Sequence, residues 1–411
     1  MTAEASSGLE SIYVLESTDG VAAVYKATSA TSAVEWLRFS RMGGAYGEPV
    51  DFSRDGAEFS IVLGSDDMGY IITENGRQHC YWIVNYDNHV MTITDAYVNQ
   101  SESDCGMTAI DINGTASRIT YYTINGVPKE LSREISVEYN TLEWNEEGKS
   151  YVSQTIDDTM PSLSSIARVT APLCDTDFTI SGDRFLKEWG REITVTTPYY
   201  NTMAIDAHTW TTSTAHDNDN EINDASGELG GSAPAEITFT AATTDAVAFR
   251  EWQMSSSPEF DIIDLRFNQD EVTYTFDDFG TTYVRFIAAN AAGDCEWTSE
   301  VYSVTIGESK LECPNAFSPG ASEGINDEWK VSYKSIVSFE CHIFNQWGIE
   351  LFSTTDPSQG WDGKRGGKVV PAGVYYYVIK ARGADGKNYS LAGDINIINF
   401  KQGSNRPNTD I

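Results

Sequence analysis

The strongest constraint on this chain is the period of its apolar residues, which is two almost wherever it can be read. In "SREISVEY", Ile135, Val137 and Tyr139 fall on one face and Glu134, Ser136 and Glu138 on the other, the alternation of a half-buried strand. "EITFTA", "VTYTFD" and "TYVRFIAAN" repeat it with β-branched and aromatic residues, which pack well on a pleated surface. Turn clusters such as "STDG", "SRDG", "NEEG" and "NAAGD" separate these runs, the rhythm of β-sandwiches. Helical signal is confined to "SGDRFLKEWG", where Ser181 is placed to cap a short helix ending at Gly190, and to "PSLSSIARV" from Pro161. The fold class expected is all-β. At 411 residues the chain is too long for one core, so several domains of about 100 residues follow.

Two stretches look like copies of each other. "AVEWLRFS" (33–40) resembles "AFREWQMS" (248–255), "SDDMGYIIT" parallels "FDDFGTTYV", and "CYW" at Cys80 parallels "CEW" at Cys295. The shared order predicts two sandwiches of one type, with Trp36 and Trp252 as core anchors. Between them a further β segment opens at "DCGMTAIDI" and closes at "REITVTTPYY". The domains expected are 9–98, 99–196 and 197–308, then a smaller one at 309–402 and a polar tail at 403–411.

Asp and Glu total 61 against 27 Lys and Arg, a formal net charge of −34. Such a surface repels phosphate backbones and anionic lipid heads, so nucleic acid is not an expected partner. No run approaches the roughly 20 apolar residues of a membrane helix, so no direct span is expected. The start, "MTAEASSGLE", lacks the basic and apolar regions of a signal peptide. In the polar stretch 213–234, Asp217, Asp219, Glu221 and Asp224 have the chemistry of calcium ligands. The turn glycine and terminal bidentate acid of a calcium loop are out of register, however, and a solvated loop is the simpler reading. No metal or cofactor is expected.

The five histidines, His79, His89, His208, His216 and His342, fall in no HExxH, and no GxSxG, Walker or Rossmann pattern is present. His79-Cys80 and Cys341-His342 are neighbours in strand-like runs, so their side chains point to opposite faces. No catalytic residue is assigned; an unrecognised carboxylate pair is the one enzymatic option left. Ten tryptophans and 21 tyrosines keep a glycan-binding alternative open, although most occupy strand-period positions of a core. "DTM" at 158–160 offers Thr159 as a glycan acceptor.

The last hundred residues carry four ordered motifs: "CPNAFSPGASEGINDEWKV", "FECHIFNQWGIELF", "GWDGKRGGKVVPAGVYYYVIKA" and "YSLAGDINII". They closely resemble the gliding-motility-associated C-terminal domain, the type B sorting domain of proteins exported by the Bacteroidetes type IX secretion system. The resemblance rests on Pro314, Asn315, Phe317, Pro319, Gly324, Asn326 and Asp327, then Asn345, Trp347 and Gly348, then Trp361, Asp362, Gly363, Pro371, Gly373, Tyr375 and Tyr377. Gln346 stands where the family has arginine, and 320–323 replaces an Asn-Gly-Asp turn. More loosely, the upstream repeats resemble PKD-like and immunoglobulin-like modules.

These resemblances imply tandem immunoglobulin- or PKD-like β-sandwiches ending in a small β-sandwich sorting domain. They imply an extracellular, outer-membrane-associated protein, structural or adhesive, whose export signal has been removed. Expected partners are the type IX machinery, a SprF/PorP-like outer-membrane protein, and an extracellular protein or glycan ligand. An exported protein is free to form disulfides. One scheme keeps each bond inside one core, Cys313 with Cys341 and Cys105 with Cys174. The repeat alignment offers another, Cys80 with Cys105 and Cys295 with Cys313. The first is preferred.

Overall fold

The computed structural model describes residues 4–214, 216, 218–222, 229–320 and 326–398. The chain is all-β and divides into two compact units, Met1–Ala204 and Ile205–Ile411. Among the described residues the single α-helix is Arg184–Glu188. Its cap is Asp183, whose carboxylate accepts from the Phe185 and Leu186 amides; the expected cap, Ser181, lies in the strand Phe178–Gly182. The second expected helix is the strand Ile166–Thr170, where tertiary pairing with Met107–Thr115 overrides a weak local signal.

In the first unit, one sheet runs in the order Ser11–Leu15, Arg77–Asn85, Met68–Glu74, Val34–Phe39, Glu48–Pro49. The facing sheet is Ala22–Lys26, Glu58–Val62, Ser53–Asp55. Trp36, Phe59, Ile61, Tyr70 and Ile72 fill the space between them. The five-stranded sheet is apolar on its other face as well, through Phe39, Ile71, Cys80, Trp82 and Val84. That second face is covered from the next sandwich, by the hairpin of Ile119–Tyr122 with Pro128–Leu131 and by Phe185 of the helix. This explains why "YIIT" and "YWIV" read as continuous apolar runs instead of alternating.

The second sandwich pairs Ile166–Thr170, Met107–Thr115 and Thr92–Val98 against Ser150–Met160, Ile135–Asn145, Phe178–Gly182 and Ile193–Thr196. Ile135, Val137 and Tyr139 point inward as their alternation requires. Two expected boundaries move. Thr92–Val98 pairs with Met107–Thr115 and so opens the second sandwich, while Tyr200 bridges to Thr176 and closes its core. The side of the sandwich that meets the first is fixed by a buried ion pair, Arg133 with Asp183. The Tyr86 hydroxyl donates to Asp183 at 2.9 Å, and Arg133 donates to the Ser117 carbonyl. Thr159 is exposed on the strand Ser150–Met160.

The second unit opens with a sandwich whose larger sheet runs Leu229–Gly231, Tyr302–Ile306, Gly280–Asn290, Val247–Ser255, Leu265–Phe267, with Glu296–Thr298 also on Gly280–Asn290. This is the strand order of the first sandwich, including the parallel pairing of the first strand with the last. Trp36 and Trp252 sit on equivalent strands, opposite Ile72 and Phe286, and both are buried. The facing sheet is Ala207–Ser213, Ala235–Thr243, Glu271–Phe276.

The C-terminal domain is a five-stranded sheet in the order Ala316–Phe317, Asn388–Ile397, Gly373–Gly383, Ile336–Phe344, Glu350–Thr354. Its inner face is covered by Leu311, Trp329, Val331, Tyr333 and Trp361.

Candidate functional site

The residues singled out in the last hundred positions separate into an interior group and a displayed turn. Trp361 is 1% exposed and exchanges backbone hydrogen bonds with Trp329. Its ring meets Phe317 at 5.6 Å and Tyr375 at 5.4 Å, and its indole N–H donates to the Lys364 carbonyl. Gly363 follows with φ 71°, and a Cβ there would lie 3.1 Å from Pro319 and 3.2 Å from the Phe317 ring. Both the left-handed backbone and the close approach require glycine.

Asp362 closes the turn by accepting from the Lys364 amide and ammonium, each at 2.9 Å. Burial would raise its pKa, but these bonds outweigh it and hold the carboxyl below its ordinary range. The Pro371 carbonyl accepts from the Tyr375 hydroxyl at 2.7 Å, and the Tyr377 ring lies tilted against Trp329, centroids 5.1 Å apart. Gly373 begins the strand they share, with φ 156°. "WDG" before "VYYYV" thus places a tight turn where the strand's aromatic side chains need a lid.

The first motif is also structural. The Pro314 carbonyl accepts the Trp329 indole N–H at 2.7 Å, and the Asn315 carbonyl accepts from Asn396. Asn326 takes φ 51° and accepts from the Ser318 amide, while Asp327 accepts from the Gly320 amide at 2.8 Å. Gly324 lies outside the described residues.

The second motif is different. The Asn345 side chain accepts from the Trp347 and Ile349 amides at 3.0 Å, and Gly348 sits at φ 74°. This holds a turn on which Trp347 is 75% exposed. Gln346 is exposed beside it. One aromatic residue of the set is therefore presented to solvent on a rigid turn, whereas Trp361 and Phe317 are core.

The described part of the loop read as solvated is docked. Asn220 donates to the Val331 and Pro357 carbonyls, and Lys330 pairs with Asp219 at 3.2 Å. Glu221 is buried; burial would raise its pKa, but hydrogen bonds from Ser232, His216 and Asn218 keep it lowered. Among the described residues no group of three or more His, Cys, Asp or Glu is placed to hold a metal. Asp217 and Asp224 lie outside them. No periodicity flags a loop that docks through single polar side chains, so the sequence reading missed it.

The disulfide expectations are also corrected. Cys313 and Cys341 are thiols in the core of the C-terminal domain, with burial pushing Cys341 up to about 12. Cys80 is a thiol too, so neither the Cys313–Cys341 bond nor either bond of the repeat-alignment scheme is formed. Both schemes assumed that pairing follows a single core or the repeat alignment, and cysteine pairing is a matter of Cα separation that strand spacing does not reveal.

A tandem array of β-sandwiches closed by a small domain with an ordered aromatic motif is the class these observations define. Residues 311–397 match the CHU_C type IX secretion signal domain, and residues 97–197 match a fibronectin type III domain. The signal domain implies handling by the type IX secretion machinery and export to the cell surface. No curated protein matches the chain.

Solved structures similar to it include a tetra-tandem repeat from the extending region of a large adhesion protein. That match has 11% identity and TM-score 0.22, covering 94% of this chain and 98% of that one. Immunoglobulin domains 1–5 of Sidekick-1 match at 12% identity and TM-score 0.27, covering 95% and 78%. Chicken CNTN1 FN1–FN3 domains match at 10% and 0.27, covering 74% and 98%. At such TM-scores the likeness has no bearing on what the chain binds. No helix among the described residues is long and apolar enough to cross a membrane.

Proposed function

We propose that this is a non-catalytic surface protein of a Bacteroidetes cell, structural or adhesive in role, whose C-terminal domain is its secretion address and its means of attachment at the outer membrane. The first three sandwiches are the part presented outside the cell. A SprF/PorP-like outer-membrane protein is the partner that receives the C-terminal domain. The non-catalytic reading is supported by the two matched families, neither of which is catalytic.

The observation that carries the address reading is Trp347. A large aromatic residue left 75% exposed on a turn braced by Asn345 contributes nothing to the core, and an exposed rigid aromatic is a natural anchor for a partner. The test is surface display of the full chain, fused behind a signal peptide, in a bacterium with the type IX system. Trp347→Ala is expected to leave the domain folded and to reduce display. Trp361→Ala is expected to unfold it, because truncating a buried tryptophan costs about 3–5 kcal/mol. Gln346→Arg, on an exposed position, is expected to keep stability unchanged and raise display. A folded Trp347→Ala protein displayed like the parent would overturn the role of the turn. A folded parent that stays periplasmic would overturn the address itself.

A further inference from the structure

The larger sheet of the third sandwich carries an open groove of about 670 Å³ on its outward face. Ile287 and Ala289 line it from the outward face of the strand Gly280–Asn290. Arg285 lies at one end. Phe249, opposite Ala289 in the ladder and 61% exposed, lies at the other. Four residues along a strand put these ends about 13 Å apart.

Arg285 is held for a purpose its own neighbours do not supply. Its Nε donates to the Gln253 side-chain carbonyl at 2.9 Å, and Gln253 is itself buried at 4% exposure. Gln253 in turn donates to Glu251 at 2.7 Å, and Glu251 pairs with Arg266, so the amide cannot rotate away. The Phe260 ring lies 4.1 Å from the guanidinium carbon. Phe260 takes φ 57°, a left-handed conformation that L-residues rarely adopt. Strained residues of this kind concentrate where geometry serves a site.

The other arginine lining the groove, Arg250, is neutralised by Asp270. Among the described residues Arg285 makes no ion pair, in a chain with 61 acidic residues against 27 basic ones. Arg285 lines the groove.

We infer that this groove binds an acidic oligosaccharide, with a uronate carboxylate on the Arg285 fork and a sugar ring stacked on Phe249. A guanidinium fork fixes a carboxylate in two hydrogen bonds. The carboxylates of Glu251 and Glu296 and the amide of Asn268 also line the groove and accept from sugar hydroxyls. The same carboxylates repel a densely charged polyanion, so one acidic sugar among hydroxyl-bearing units suits the groove better than a nucleic acid or an acidic peptide. The inference rests on the surface-protein reading above for its setting. Binding is measured on purified protein, however, so failed display and failed binding are separate results.

The experiment is calorimetric titration of the full purified chain with trimers and tetramers of galacturonate, glucuronate and mannuronate, their methyl esters, and a Glu-rich peptide. At least one acidic oligosaccharide is expected to bind saturably and to weaken about tenfold or more when esterified. Arg285→Lys keeps the charge but loses the fork and is expected to weaken binding about tenfold, while Phe249→Ala, at an exposed position, weakens it several-fold. Phe249→Ala should melt like the parent, and Arg285→Lys, which leaves the buried Gln253 carbonyl without its donor, should melt lower but still fold. The inference is overturned by absence of binding to all three acids, by equal binding of acid and ester, by binding unchanged in folded Arg285→Lys and Phe249→Ala, or by the peptide binding as tightly as the saccharides.

Discussion

The first and third sandwiches have one strand order and two ways of finishing it. In the third, Ala207–Ser213 adds a strand beside Ala235–Thr243 and closes the edge between the sheets, with Thr209 reaching Tyr302 at 2.8 Å. In the first, the equivalent strand Ala22–Lys26 pairs only with Glu58–Val62 among the described residues. A slot of about 390 Å³ remains there, lined by Tyr13, Val24, Tyr25 and Trp36. The two tryptophans register the difference. The Trp252 indole N–H reaches the Asp270 carbonyl, while that of Trp36 is buried without a partner among the described residues.

A second contrast lies at the end of the strand facing each tryptophan strand. Glu74 and Asn290 are the last residues of those strands, opposite Val34 and Val247 respectively. Glu74 gathers the preceding loop, accepting from Ser32 at 2.7 Å, the Thr28 amide at 2.7 Å and the Tyr25 hydroxyl at 2.7 Å. Asn290 gathers a following turn instead, accepting from the amides of Gly293, Asp294 and Cys295. Equal topology therefore tolerates a carboxylate or an amide at the end of this strand, but only the carboxylate titrates.

The largest expected effect separates the tryptophans. Trp252→Ala should cost about 3–5 kcal/mol, since Phe239 and Phe286 enclose the ring. Trp36→Ala should cost less by at least about 1 kcal/mol, because one side already borders the slot and the change removes an unsatisfied N–H. Hydrogen exchange of Val34–Phe39 and Val247–Ser255 in the full chain reads both; equal losses would erase the contrast.

The next effect is in pH. Donors from Ser32, Thr28 and Tyr25 lower the Glu74 carboxyl from 4.5 to about 2 in the folded state. A depressed folded pKa contributes stability above the unfolded value that is lost as pH falls through the folded one. Urea midpoints read by pulse proteolysis should therefore drop for the first sandwich between pH 4.5 and 2. Glu74→Gln should remove this component. The smallest effect is expected from Asn290→Ala, about 1 kcal/mol of third-sandwich stability from the turn bonds it loses. That loss should be the same at neutral and acid pH, and a loss growing toward acid would show that the strand end does not explain the difference.

The period-two pattern by itself determined the all-β class, because alternation is a property of the strand and needs no partner to be read. The tryptophan, Asp-Asp-x-Gly and strand order marked the two like sandwiches. The aromatic and turn residues of the last hundred positions identified their domain, because a buried Trp361 and a left-handed Gly363 are local requirements. What only the tertiary structure decided depends on residues far apart in sequence. Thr92–Val98 looks alike whether it ends one sandwich or begins the next, and its partner across the ladder settles which. Residues 119–131 read as part of the second sandwich, yet their apolar side chains cover the first, since a sheet buried on both faces must take its second cover from somewhere. Arg285 reads as one more surface charge until Phe260 and Gln253 are seen to hold it. Desolvation and hydrogen-bond geometry are set by three-dimensional neighbours, and spacing along the chain does not encode them.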